Sequence, residues 1–302
     1  MILPRRPLSA PAAPLSPERI RRFSKKCERS ARVSVILALS LLSLYERFTM
    51  MKKAILVASF GTTHLDTLEN NIAAVEKDIQ SRYPQLPVYR AFTSTIVRRR
   101  LKERYGMAVD SPEEALRRLD AEGHTHVAVQ PTLLLGGEEY EKLRGTLLNA
   151  AGGMRVTVGR PLLWDEGDIQ AMAGTLKAAY PLPEDTILLA MGHGTAHAAD
   201  ATYDRLRRAM NKLGMELCTV EGSLDFDFAV QALLAQPRRK VHLVPLLLVA
   251  GDHSVNDMAG DEEDSLKRRL EAAGFTVSYS LRGLGEIPAA REMICRRVPA
   301  ET

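Results

Sequence analysis

Three residues stand where metal or acid–base chemistry is expected. His193 lies between two glycines, Glu221 immediately precedes Gly222, and His253 follows Asp252, each just beyond an apolar run. Two imidazoles and a carboxylate form a borderline-to-hard donor set suited to Zn, Co, Fe or Ni, and such a trio with open positions is a known catalytic arrangement. No local signature such as HExxH ties them together, so each also has a plain structural reading. His193 could end a strand in a tight turn, Glu221 could be a solvated strand end, and Asp252 could cap a helix with His253 merely exposed. The other histidines are weaker candidates: His124 and His126 border a strand, His242 begins one and His64 starts a helix. His197 is intermediate, four residues beyond His193 and near enough to share its crevice.

The elements that must position these residues follow from the hydrophobic pattern. From Met51 onward short apolar runs alternate with longer segments of helical period, the pattern of βα units with a mostly parallel sheet. Strands are expected at 54–58, 88–92, 126–135, 155–159, 187–191, 216–221, 241–249 and 276–280. Helices are expected at 65–82, 111–122, 138–150, 167–180, 198–213, 225–236, 257–273 and 286–296, with Ser111-Pro112-Glu113 a capped helix start.

Two pieces of the chain recur in order. Ala54 to Thr62 (AILVASFGT) echoes Ile187 to Thr195 (ILLAMGHGT), and Pro131 to Glu139 (PTLLLGGEE) echoes Pro245 to His253 (PLLLVAGDH). Buried parallel strands always resemble one another, but here the glycines after each strand match as well, and those positions have loop geometry to satisfy. The expected fold is therefore α/β, with two similar doubly wound domains, each a mostly parallel sheet flanked by helices. The boundaries are 51–183 for the N-terminal domain and 184–302 for the C-terminal domain that carries the metal-site residues, with Pro181-Leu182-Pro183 as the linker.

In open α/β sheets ligands bind beyond the carboxyl ends of the strands, and the three candidate donors all fall there. Phe60 occupies in the first half the position of His193 in the second, and Glu139 that of His253. The loop Ser59-Phe60-Gly61-Thr62 exposes backbone N–H groups ahead of a helix, but it lacks the Lys of a P-loop and the three glycines of a dinucleotide fingerprint. No nucleotide cofactor is expected; the same amides could hold a carboxylate or a ring edge.

The net charge of +4 hides an asymmetry, because residues 1–50 hold ten Lys/Arg against three Asp/Glu, whereas the rest has 31 against 34. A slightly acidic body excludes a nucleic-acid surface, which needs clustered Lys and Arg. Cys27, Cys218 and Cys295 form no CxxC pair and exclude a disulfide framework or a thiolate zinc site. In the N-terminal extension the twelve-residue apolar run Val33 to Leu44 is too short for a stable membrane anchor. Residues 1–50 read as a disordered tail, a signal-like segment, or sequence upstream of a true start near Met50 or Met51.

Taken together, SFGT at 59–62, RAFTS at 90–94, GGEEYEKL at 136–143, MGHGT at 191–195, VEG at 220–222 and AGDHSVNDMAGDEEDS at 250–265 resemble the anaerobic, class II sirohydrochlorin cobaltochelatases of cobalamin biosynthesis, which are related in fold to ferrochelatase. The resemblance runs from Met51 to about Arg297. It implies a chelatase-like fold with a tetrapyrrole cleft between the domains, insertion of Co2+ as substrate metal, and a tetrapyrrole and a divalent ion as small-molecule partners. It places the catalytic histidine on His193 and the metal-binding residues on His193, Glu221 and His253. Because sirohydrochlorin bears eight carboxylates, it also implies basic groups at the cleft rim, with Arg90 as the candidate; Ser59, Phe60, Gly61, Thr62, Gly136 and Gly137 are the further substrate-contact candidates.

Metal insertion removes two protons from pyrrole nitrogens, and an imidazole can both hold an ion weakly and accept a proton. The expected mechanism has His193 as general base, with a transient His/Glu/His metal site. The alternatives are Fe2+ insertion for sirohaem, a non-catalytic tetrapyrrole or metal carrier, and a two-lobed periplasmic binding protein. A homo-oligomer is left open. The expected location is cytoplasmic, or periplasmic if residues 1–50 are a real signal segment.

Overall fold

Strand β1 (Lys53–Ser59) is buried along nearly its whole length, which demands cover on both faces. Alternation supplies it: Ile55 and Val57 enter one core, while Ala54, Leu56 and Ala58 enter another on the opposite face. A computed structural model of the chain, which describes residues 51–299, repeats this arrangement twice. Strands β2 (Val88–Phe92), β3 (His126–Pro131) and β4 (Arg155–Val158) join β1 in an all-parallel sheet of order β2-β1-β3-β4. Strands β5 (Thr186–Gly192), β6 (Glu216–Thr219), β7 (Lys240–Pro245) and β8 (Thr276–Tyr279) form a second parallel sheet in the equivalent order β6-β5-β7-β8. The expectations for residues 1–50 lie outside the described residues.

The two sheets share a core. Ile55 and Val57 of β1 and Leu188 and Ala190 of β5 belong to one buried apolar cluster, while Ile187, Leu189 and Met191 turn to a third core behind the second sheet. The C-terminal helix Pro288–Cys295 closes the shared layer by packing on helix Ala74–Arg82. There Arg291 donates to Asp78 at 2.6 Å and Arg82 to Glu292 at 3.0 Å.

Two expected strands are shorter than their apolar runs. The runs 126–135 and 241–249 leave the sheet at Pro131 and Pro245, so Leu133 to Leu135 and Leu246 to Val249 become cleft wall. An apolar wall and a buried strand demand the same residue types, which is why periodicity merges them. The expected strand 216–221 likewise ends at Thr219. The expected helix 257–273 resolves into a π-helical turn, His253–Met258, and a separate helix, Leu266–Ala272, capped by Ser265. Helix 65–82 also contains a π-helical stretch, Leu68–Ala73.

Helix Thr95–Tyr105 was not expected, because its run of arginines masks the apolar stripe. Its ends are nonetheless written in the chain: Ser94 accepts from Val97 N at 3.3 Å, and Gly106 takes the left-handed conformation at φ 66°. The expected start at Ser111 holds as a reciprocal capping box with Glu114.

Gly174 lies exposed in helix Glu166–Ala179, and a Cβ there meets nothing within 4 Å. Gly174→Ala is expected to stabilise the protein by about 0.5–1 kcal/mol through lower unfolded-chain entropy and better helix propensity. Urea unfolding of the two proteins checks this; a variant no more stable than its parent contradicts it.

Candidate active site

Both sheets have a topological switch point, between β1 and β3 and between β5 and β7, where neighbouring crossovers diverge and leave a crevice. The loops at these points line one cleft of about 450 Å3, with Phe60, Gly61 and Thr62 after β1, Gly137 to Glu139 after β3, and His193, Glu221 and His253 in the second half. Its floor is largely aliphatic, from the residues that left β3 and β7.

His193 and Glu221 are brought together by register. Gly192 of β5 pairs with Thr219 of β6, and the pairing persists past the strands: Val220 N donates to Gly192 O at 3.1 Å and Glu221 N to His193 O at 2.9 Å. The glycines make this approach feasible. Gly194 has φ 83°, and a Cβ there would sit 1.7 Å from the Glu221 carbonyl oxygen, while a Cβ at Gly192 would lie 2.6 Å from the Tyr203 ring.

Tyr203 is buried beneath the loop; burial pushes its phenol up to about 12, with the nearby backbone of Gly194 and His193 acting the other way, so it is a neutral brace. On the far side Asp200 clamps the turn after Glu221, accepting from Ser223 N at 3.0 Å and Ser223 Oγ at 2.8 Å.

His253 arrives from the other side of β5, at the start of its π-helical turn. Its ring stands perpendicular to that of His193, with centroids 4.7 Å apart. His193 Nδ1 lies 3.2 Å from the Gly194 carbonyl oxygen and His253 Nδ1 2.5 Å from the Asp257 carboxylate. Both partners are acceptors, so in the neutral form of each ring the proton sits on Nδ1 and the lone pair on Nε2. Among the described residues, no group of three or more His, Cys, Asp or Glu side chains is gathered tightly enough to hold an ion. The arrangement is a pair of basic imidazoles with a carboxylate on the same cleft, open rather than closed.

The remaining candidates divide. Phe60, Gly61, Thr62 and Gly137 line the cleft. Ser59 does not: it is fully buried and accepts from Thr132 Oγ1 at 2.9 Å. Arg90 is also withdrawn, bound through Nε and an amino group to both oxygens of Glu76 at 2.7 and 2.5 Å. Gly136 packs beside Trp164 rather than on the cleft. His197 caps Ala199 N at 3.1 Å and is not part of the lining. His124 and His242 are engaged with Leu119 O and Ser278 Oγ.

His64, set aside in the sequence, does line the cleft, where Nε2 lies 3.1 Å from Asp252 Oδ1. Its signal was its place in the loop after β1, the same rim logic that selected His193. Asp257, one helical turn beyond His253, was legible as an i,i+4 partner. Tyr203 and Arg100 carried no local signal.

The described residues contain no helix long and apolar enough to cross a membrane. Residues 53–301 match the family model described as cobalt chelatase (CbiK). Over 247 residues the chain is 41% identical to the sirohydrochlorin cobaltochelatase of Salmonella typhimurium, covering 80% of this chain and 94% of that protein. It is 36% identical over 253 residues to the sirohydrochlorin cobaltochelatase CbiKC of Nitratidesulfovibrio vulgaris, covering 80% and 87%. Among solved structures, SirB from Bacillus subtilis with Fe3+ superposes with a TM-score of 0.59 at 18% identity, covering 82% of this chain and 94% of that one. CbiX, the terminal enzyme for biosynthesis of siroheme in denitrifying bacteria, superposes with a TM-score of 0.50 at 18% identity, covering 82% and 99%. The two structures share the fold.

Proposed function

The chain belongs to the cobalt chelatase family, and from that premise we propose that it inserts Co2+ into sirohydrochlorin with His193, Glu221 and His253 as its working residues. Membership makes it an enzyme and sets aside the carrier and binding-protein readings. The observation that carries the site is the pair of imidazoles 4.7 Å apart, each with Nε2 unblocked, beside Glu221 on an apolar cleft. The two relatives described above are both named cobaltochelatases, which favours cobalt over iron as the physiological ion.

Charge sets the order of events. A divalent ion entering a largely apolar cleft loses hydration, and the Glu221 carboxylate offsets part of that loss, while the lone pairs of His193 and His253 replace water as ligands. The macrocycle lies over the aliphatic wall formed by Leu134, Leu135 and Leu247. As the ion passes to the first pyrrole nitrogens it leaves His193, whose freed Nε2 accepts a pyrrole N–H proton and hands it to solvent at the open mouth, and a second removal follows, so that two protons leave as one dication enters. With no thiolate and no closed cage, the protein donors hold the ion weakly enough to yield it to four pyrrole nitrogens. In the same reading residues 51–183 and 184–302 act as two domains that furnish the two walls. The reaction is placed in the cytoplasm, or in the periplasm if residues 1–50 act as a signal.

The test is anaerobic incubation of the purified chain with sirohydrochlorin and Co2+, followed by the absorption change on metallation. A rate proportional to enzyme and faster with Co2+ than with Fe2+ is expected; tetrapyrrole binding without insertion of either ion would sink the proposal. Asp257→Asn keeps the size of the partner of His253 but removes its charge. It is expected to raise the KM for Co2+ about tenfold and leave the KM for sirohydrochlorin in place; an unchanged Co2+ KM removes His253 from the ion's path.

A further inference from the structure

A substrate with eight carboxylates meets a cleft that is mostly of the wrong sign. Glu138, Glu139, Glu221 and Asp252 all line it, and among the described lining residues Arg100 is the one Lys or Arg. Arg100 sits on helix Thr95–Tyr105, three residues after Val97, so the two side chains share a helix face; Val97 also lines the cleft and packs on the Gly61 loop. The neighbouring arginines are engaged, Arg98 with Glu114 at 2.8 Å and Arg99 with Glu103 at 3.9 Å. Arg100 is exposed and has no acidic partner among the described residues.

We infer that Arg100 is the residue that fixes the orientation of the macrocycle, by pairing its guanidinium with one peripheral carboxylate. The inference rests on the proposed sirohydrochlorin reaction. Guanidinium offers a planar fork that matches a carboxylate bidentately, so one contact defines both position and angle. The four acidic side chains supply the complementary repulsion, turning the other substituents toward solvent. A single cation among several anions suits a product that must leave, since a ring of arginines would retain it. Phe60, exposed at the mouth and standing where the second half has His193, is the adjacent surface for the ring edge.

The experiment compares the full-length chain with Arg100→Gln, Arg100→Lys and, as a control one turn further along the same helix and outside the cleft lining, Arg104→Gln. Initial rates are measured with sirohydrochlorin varied at saturating Co2+, and with Co2+ varied at saturating sirohydrochlorin. Arg100→Gln is expected to raise the sirohydrochlorin KM about tenfold and leave the Co2+ KM unchanged, with Arg100→Lys intermediate and Arg104→Gln like the parent. Raising ionic strength is expected to weaken sirohydrochlorin binding more in the parent than in Arg100→Gln. An Arg100→Gln enzyme with the parental sirohydrochlorin KM overturns the inference while the reaction stands. A parent that inserts no metal overturns the proposed function instead.

Discussion

Replacing His193 by alanine is expected to lower kcat for cobalt insertion by about 10²–10⁴-fold, the range for loss of a positioned general base. The side chain is only partly buried and its one hydrogen bond is to its neighbour's carbonyl, so truncation leaves the fold intact. Two functions disappear together: the acceptor for a pyrrole proton, and one of two imidazoles able to hold the incoming ion. His253 remains, but it approaches from the other side of β5 and cannot reproduce the geometry. Sirohydrochlorin binding, measured by the perturbation of its absorption, is expected to survive because the aliphatic wall is untouched. Added imidazole should restore part of the rate. A variant that turns over within threefold of the parent excludes His193 as the base.

The second large effect comes from a residue with no side chain. Gly194→Ala places a methyl group 1.7 Å from the Glu221 carbonyl oxygen at a φ of 83°, so Glu221 must move and the Glu221 N to His193 O hydrogen bond must open. The expected cost in stability exceeds the roughly 1–3 kcal/mol of backbone strain alone, with insertion reduced nearly as far as by loss of His193. Gly274→Ala is the matching control. Its φ is 87°, but a Cβ there meets nothing within 4 Å, so it carries the backbone strain alone and leaves activity in place. Thermal unfolding and initial rates for both variants separate strain from obstruction. If Gly194→Ala inserts cobalt at the parental rate, the close approach of the two backbones is not what positions the donors.

Much of the candidate site was legible because glycines punctuate the carboxyl ends of the strands. Gly192 and Gly194 around His193 and Gly222 after Glu221 mark the places where the chain approaches another backbone or side chain too closely for a Cβ, and they can be read from residue types alone. The echo between AILVASFGT and ILLAMGHGT was legible for a related reason: β1 and β5 hold the same central place in two sheets of equivalent order, so both need apolar residues on two faces. The helix Thr95–Tyr105 escaped because three consecutive arginines outweigh an apolar stripe, although Ser94 and Gly106 announce both ends.

What the sequence determined by itself was local: the alternation of strands and helices, the caps, and the residue types at the rim, since each depends on neighbours within a few positions. Which arginine faces the cleft was decided only by the tertiary structure. Arg90 lies in the middle of β2 and is held by Glu76, while Arg100, in a plain basic run, faces the cleft. The same holds for the leucines after Pro131 and Pro245, and for His64, whose partner Asp252 is 188 residues away. Burial and ion pairing are properties of the space around a side chain. That space is filled by segments distant in the chain, so residue type and spacing fix the chemistry available but not where it is exposed.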